Sequence, residues 1–186
     1  MGPLLLFSTT SCYTSRISRL QQNSDLGSSG LEEKKKMGVK SEYLSPCGMY
    51  CSVCSVRAAH QNNDQKLKGQ LAFFFGTSPE NIACEGCMSG KTFENMVNTC
   101  SIRACAQKKG LTGCHQCDDF PCNNVKNFPI EPARNNILKS IPRWKELGTE
   151  RYVAEVEKRY TCPKCGTLLH RYATECSNCQ TPFSAL

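Results

Sequence analysis

Five times along this chain two cysteines stand with two residues between them: Cys51/Cys54, Cys84/Cys87, Cys114/Cys117, Cys162/Cys165 and Cys176/Cys179. Two intervening residues make a tight turn that aims both thiolates at one point, as a tetrahedral metal requires. No other feature constrains the fold as strongly. The 186 residues hold 15 cysteines, and the apolar share of 39% includes them. Without the cysteines that share falls to roughly 31%, thin material for a core at this length. Cross-links must supply the rest, and disulfides, zinc and iron–sulfur clusters are the three kinds available.

Disulfides fit least well. An odd total leaves one thiol unpaired, and structural disulfides more often join distant cysteines. Nothing near the start reads as an export signal. Leu4-Leu5-Leu6-Phe7 is too short for the apolar region and no Lys or Arg precedes it. Cys12 follows Thr-Thr-Ser, without the leucine of a lipoprotein cleavage site. No apolar run approaches membrane-spanning length. The expectation is a reducing, cytoplasmic setting in which cysteines bind metal. That setting also discounts the formal charge of +7, because metal-bound cysteines are thiolates. Three four-thiolate zinc sites would bring the loaded protein close to neutral, so basicity is no signal for nucleic acid.

Four segments are expected. Residues 1–36, rich in Ser, Thr, Gln and Gly with one cysteine, read as disordered or as a non-native extension. The codons for Leu31-Glu32-Glu33-Lys34-Lys35-Lys36 form a purine-rich tract before Met37, where a ribosome-binding site would lie if Met37 were the native start. Residues 37–130 form a cysteine-rich metal-binding domain with short helices. In it Leu67, Leu71, Phe74 and Phe75 mark the inner face of a helix ending at Gly76. Ser78-Pro79 opens another helical turn, and Ile102, Cys105 and Ala106 mark a short helix stopped by Gly110. Residues 131–160 read as a helical bridge. Its stripe of Ile137, Leu138, Ile141 and Trp144 is interrupted by Pro142 and closed by Gly148. Thr149 is placed to cap a second helix with Tyr152, Val153, Val156 and Tyr160 inward. Residues 161–186 read as a zinc ribbon. The expected fold class is small, metal-stabilised and mainly α, with irregular cysteine-knuckle loops and a short β zinc ribbon at the C-terminus.

The sharpest site lies in that last segment. Cys162, Cys165, Cys176 and Cys179 have C-x2-C-x10-C-x2-C spacing, two knuckles joined by a hairpin around one tetrahedral zinc. Four thiolates leave no open coordination position, so such a site folds its module and does not catalyse. His170, in the hairpin, reads as a surface residue. The body adds Cys47, Cys51, Cys54, Cys84, Cys87, Cys100, Cys105, Cys114, Cys117 and Cys122. Ten ligands fit two four-thiolate sites with two over, and sequence does not pair them. Cys84/Cys87 and Cys114/Cys117 are natural pairs, whereas Cys100, Cys105 and Cys122 are less certain. His60 and His115 read as polar surface residues in preference to ligands.

The blocks "PCGMYCSVC", "CEGC" and "CSIRACAQKKGLTGCHQCDDFPC", in that order, resemble an uncharacterised cysteine-rich family, domain of unknown function 3795. The family occurs in bacteria and archaea, often anaerobes. The resemblance covers roughly residues 43–128. It implies metal binding at the ten body cysteines and brings no established activity. Some members carry a zinc ribbon behind a helical bridge, as this sequence does.

Among function classes, a zinc-stabilised binding or scaffolding protein with a protein partner needs only these features. No Ser-His-Asp set, phosphate-cradling loop or paired-carboxylate motif is evident, and Asp118-Asp119 reads as a solvated turn. Three histidines leave little general-base chemistry. The alternative is an iron–sulfur protein with a redox or electron-transfer role, allowed by the C-x3-C-x2-C run of Cys47, Cys51 and Cys54. That run does not mark a radical enzyme: Val53 stands where such enzymes place an aromatic, and too little chain follows for a large barrel. A nucleic-acid regulator acting through Lys158, Arg159, Lys164 and Arg171 is a further alternative, and a thiol–disulfide oxidoreductase lacks its strand–helix context.

Overall fold

The structure, a computed structural model, describes residues 39–97 and 99–185. The expectations for residues 1–36 and for Met37 as the native start lie outside them, as does Cys12. Among the described residues regular structure is helical and no strand occurs. The expected β ribbon does not appear as strands: the C-terminal segment has two isolated antiparallel bridges, Thr161 with Leu168 and Glu175 with Pro182. Each knuckle is so short that its flanks diverge after one paired residue.

The cysteine-rich body contains α1 (Ser55–Gln61), α2 (Gln65–Phe75), α3 (Glu94–Val97), α4 (Ser101–Lys108) and α5 (Asn123–Lys126). The Asp64 carboxylate caps α2 by accepting the Leu67 N–H at 2.9 Å, and Gly76 ends it in the left-handed conformation. Leu67, Leu71 and Phe75 pack on a small core of Val56, Ala59, Ala72, Ile82, Cys84 and Phe93. Phe74 does not join them: it is 64% exposed and neighbouring Phe73 is 92% exposed. The apolar run is wider than the face the helix buries, so its period alone did not separate in from out.

Two long helices follow, α6 (Glu131–Leu147) and α7 (Thr149–Arg159). The buried stripe of α6 is Ala133, Ile137, Ile141 and Trp144, while Leu138 lies at the exposed edge. Pro142 lies inside α6 without ending it. A proline withholds an N–H from the carbonyl four residues back, here that of Leu138, which lies on the exposed side of the helix. Thr149 is not the cap expected of it. Gly148 precedes α7 with φ 73°, and the Thr149 hydroxyl accepts the indole Nε1–H of Trp144 at 3.0 Å. A buried indole needs such a partner.

The main core joins α6 and α7 to the body through Tyr50, Val53, Ile102, Val125, Ile137, Ile141, Trp144, Tyr152 and Val156. Trp144 is fully buried at its centre, stacked on His115 at 3.8 Å and on Tyr152 at 5.4 Å between ring centroids. Gly113 allows this approach. A Cβ there would lie 2.6 Å from Trp144 Cζ3, closer than any real contact. Across the same seam the Tyr152 hydroxyl donates to the Gly48 carbonyl and the Tyr50 hydroxyl donates to Glu157 Oε1 at 3.0 Å. Outside the seam, Arg143 bridges α6 to α7 through a two-pronged pair with Glu155 at 2.6–3.2 Å. No helix among the described residues is long and apolar enough to cross a membrane.

Candidate metal centre

After α7 the chain makes the same turn twice. Cys162-Pro-Lys-Cys165-Gly166-Thr167 and Cys176-Ser-Asn-Cys179-Gln180-Thr181 make the same two backbone hydrogen bonds. The first cysteine N–H donates to the threonine carbonyl, at 2.8 Å from Cys162 to Thr167 and 2.9 Å from Cys176 to Thr181. The residue after the second cysteine donates back to the first cysteine carbonyl, at 2.9 Å in both knuckles. That residue must turn left-handed: Gly166 has φ 74° and Gln180 has φ 56°. Glycine meets this cheaply, whereas glutamine does so at some strain.

The turns place the four Sγ atoms of Cys162, Cys165, Cys176 and Cys179 within 4.8 Å of one another, a group able to hold one metal ion. Cys162 and Cys179 are 3.7 Å apart, Cys165 and Cys176 3.5 Å. Cys162 and Cys176 are buried and Cys165 is exposed. Thr167 and Thr181 place their hydroxyls 3.2 Å from the Sγ of Cys165 and Cys179. A hydroxyl donated to sulfur favours the thiolate. The Thr167 side-chain and backbone bonds accordingly bring Cys165 down to about 5 and the Thr181 bonds lower Cys179. These threonines were not singled out in the sequence, although the repeated C-x2-C-x-T was there to mark them.

This module docks on the body. The Arg171 N–H donates to the Val53 carbonyl at 2.8 Å, and its guanidinium reaches the Tyr160 hydroxyl at 3.0 Å. His170, expected at the surface, is half-buried with Nδ1 3.2 Å from Ser55 Oγ. Burial lowers its pKa, with Asp64 acting weakly the other way.

The ten body cysteines are arranged differently. Among the described residues no second group of three or more His, Cys, Asp or Glu ligand atoms gathers within 4.8 Å. None of the fourteen described cysteines is in a disulfide. They fall into two neighbourhoods. Cys51 and Cys54 flank a 3-10 turn, and the Cys51 Sγ accepts the Cys87 N–H at 3.2 Å. Burial pushes Cys51 up to about 12 with its neighbours Cys54, Cys84 and Cys47 adding to it, although the Cys87 N–H opposes. Burial likewise raises Cys87, with Cys47, Cys51 and Cys100 adding. The first neighbourhood is therefore Cys51, Cys54, Cys84, Cys87 and Cys100, and Cys47 lies between it and the second, acting on Cys51, Cys87 and Cys114 alike.

The second neighbourhood is Cys105, Cys114, Cys117 and Cys122, which line one cleft of about 300 Å³. Cys105 comes from α4, Cys114 and Cys117 flank a 3-10 turn, and Cys122 precedes α5. Burial, then the neighbouring thiols Cys47, Cys122, Cys117 and Cys105, push Cys114 up to about 12. At the rim Lys109 Nζ lies 2.8 Å from Asp119 Oδ2 and 3.5 Å from Cys117 Sγ. Asp119, read as a solvated turn, is an exposed partner of that lysine. His115, between the two cysteines, stacks on Trp144, and its Nδ1 is buried without a hydrogen-bond partner. His60 lines only a wide, shallow hollow of about 890 Å³ that holds no cysteine.

Residues 43–127 match the family described as protein of unknown function (DUF3795). The segment covers the whole cysteine-rich body and stops before α6, so α6, α7 and the C-terminal knuckles lie outside the match. No curated protein and no solved structure matches the chain.

Proposed function

We propose that this protein is a zinc-dependent binding or scaffolding module of a reducing, cytoplasmic compartment, in which a C-terminal zinc ribbon is held against a cysteine-rich domain by the α6–α7 bridge. One observation carries the reading. Zinc binds thiolate at about 2.3 Å, so a regular tetrahedron sets its sulfurs about 3.8 Å apart. The Sγ pairs at 3.7 and 3.5 Å fit that edge. All four corners are protein thiolates, which leaves no place for substrate or activated water, and this favours a structural role over a catalytic one. The paired knuckle turns and their threonine donors supply the supporting shell that orients such ligands.

A partner protein is the occupant this reading expects, and the exposed rings of Phe73 and Phe74 are apolar surface at which it would meet the body. A nucleic-acid role gains less. Of the four basic residues near the knuckles, Arg159 pairs with Glu155 at 3.4 Å and Arg171 is spent on docking.

The test is elemental analysis of the full chain purified without oxygen, followed by exchange with cobalt. Stoichiometric zinc at the knuckles, lost in Cys165→Ala and replaced by cobalt with tetrahedral thiolate absorption, is the expected result. Zinc content unchanged by Cys165→Ala would end the reading.

A further inference from the structure

We propose that Cys105, Cys114, Cys117 and Cys122 bind a polynuclear iron–sulfur cluster in the cleft they line, a site separate from the C-terminal knuckles and independent of what those knuckles hold. Four thiols from three different segments converge on one cleft, the number of ligands such a cluster takes. They converge without touching. A single ion draws its four sulfurs to about 3.8 Å from one another, as in the knuckles, but no three ligand atoms in the body gather within 4.8 Å. A cluster holds its thiolates further apart, because each binds its own iron and inorganic sulfide fills the space between. It also needs a cavity where a lone ion needs none, and here the cavity is about 300 Å³.

The surroundings suit a cluster as well. Ile102 and Val125, both buried, form an apolar floor to the cleft, and an apolar wall limits the access of water to the metal. At the rim the Lys109 ammonium is 3.5 Å from Cys117 Sγ. Hydrogen bonds to cluster sulfurs are among the features that set reduction potential. Lys109 is thus a positioning residue that would hold the cluster's negative charge.

The experiment uses the full chain, incubated without oxygen with sulfide and equal amounts of ferrous and ferric iron, the mixed valence a four-iron cluster requires. The expected product is brown, with equal iron and acid-labile sulfide and charge-transfer absorption in the visible. Cys117→Ala and Cys122→Ala should each lose most of that iron and sulfide while keeping knuckle zinc, which reports that the chain is folded. Cys165→Ala should do the reverse, so failure of the zinc reading and failure of this one are separable. Full iron and sulfide in Cys117→Ala would overturn the ligand assignment, and zinc without labile sulfide in this cleft would overturn the cluster. Should Cys117→Ala also lose its knuckle zinc, Lys109→Ala decides. Lys109 is on the surface, so the fold should stand and the cluster's reduction potential should shift, and an unchanged potential would refute the site.

Discussion

In the C-terminal knuckles four sulfurs are packed to about the spacing of one ion, whereas in the body ten thiols are spread among helices that have cores of their own. The knuckles bury only Cys162, Leu169 and Cys176 as a cluster, so two of their three core residues belong to the candidate metal group. The body and bridge bury fifteen residues in one cluster, Trp144 among them. One region has little to fold around except the metal proposed for it. The other has an apolar core of its own, in which Cys47 and Cys84 are buried among aliphatic and aromatic side chains. Dependence on metal should divide along the same line.

The largest effect tests that division directly. Removing metal from the knuckles, by chelator or by Cys176→Ala, should unfold residues 160–183 outright, since metal binding in such modules is worth about 10–16 kcal/mol and is their folding free energy. Amide hydrogen exchange should rise to the unfolded rate across the knuckles while α6 stays protected. Simultaneous loss of protection in α6 would show that the two regions are one cooperative unit.

Trp144→Ala attacks the other side of the comparison. The ring is fully buried between His115 and Tyr152, and truncation of such a residue costs about 3–5 kcal/mol. Denaturant unfolding followed by circular dichroism should lose that much, and the zinc content of the folded protein should not change. A smaller loss is expected from Gly113→Ala, about 1–3 kcal/mol, because the added methyl would meet the indole at 2.6 Å. Its φ of −168° is ordinary extended backbone, so the cost is purely one of space. An alanine variant as stable as the parent would mean that the indole can move.

What the sequence made legible follows the range of the interactions. Cysteine spacing marked the four knuckle cysteines that gather within 4.8 Å, because the turn that joins each pair is local. The α6 stripe was readable from Ile137 to Trp144 for the same reason, apart from Leu138 at its edge. Thr149 misled because its hydroxyl serves the Trp144 indole five residues back in place of the helix end. Phe74 misled because α2 covers less core than its apolar run suggests. The grouping of Cys105 with Cys114, Cys117 and Cys122 was not readable at all. It depends on where α4 and α5 pack, which no spacing within either helix records.

The smallest effect probes the seam where the two regions meet. His170 Nδ1 lies 3.2 Å from Ser55 Oγ, and burial holds the imidazole pKa below its ordinary value near 6.5. A pKa depressed by folding means that the folded protein resists the proton that the unfolded chain accepts. The seam's contribution is therefore complete above pH 6.5 and is lost as pH falls from there towards the lower folded value. His170→Ala should remove this pH dependence and cost about 0.5–1.5 kcal/mol at neutral pH, the net worth of one hydrogen bond. Thermal unfolding at matched zinc content, followed across that pH range in both proteins, distinguishes the seam from the knuckles. Acid sensitivity that persists unchanged in the variant would move its origin away from this contact, to the thiolates or to His115, whose pKa burial also lowers.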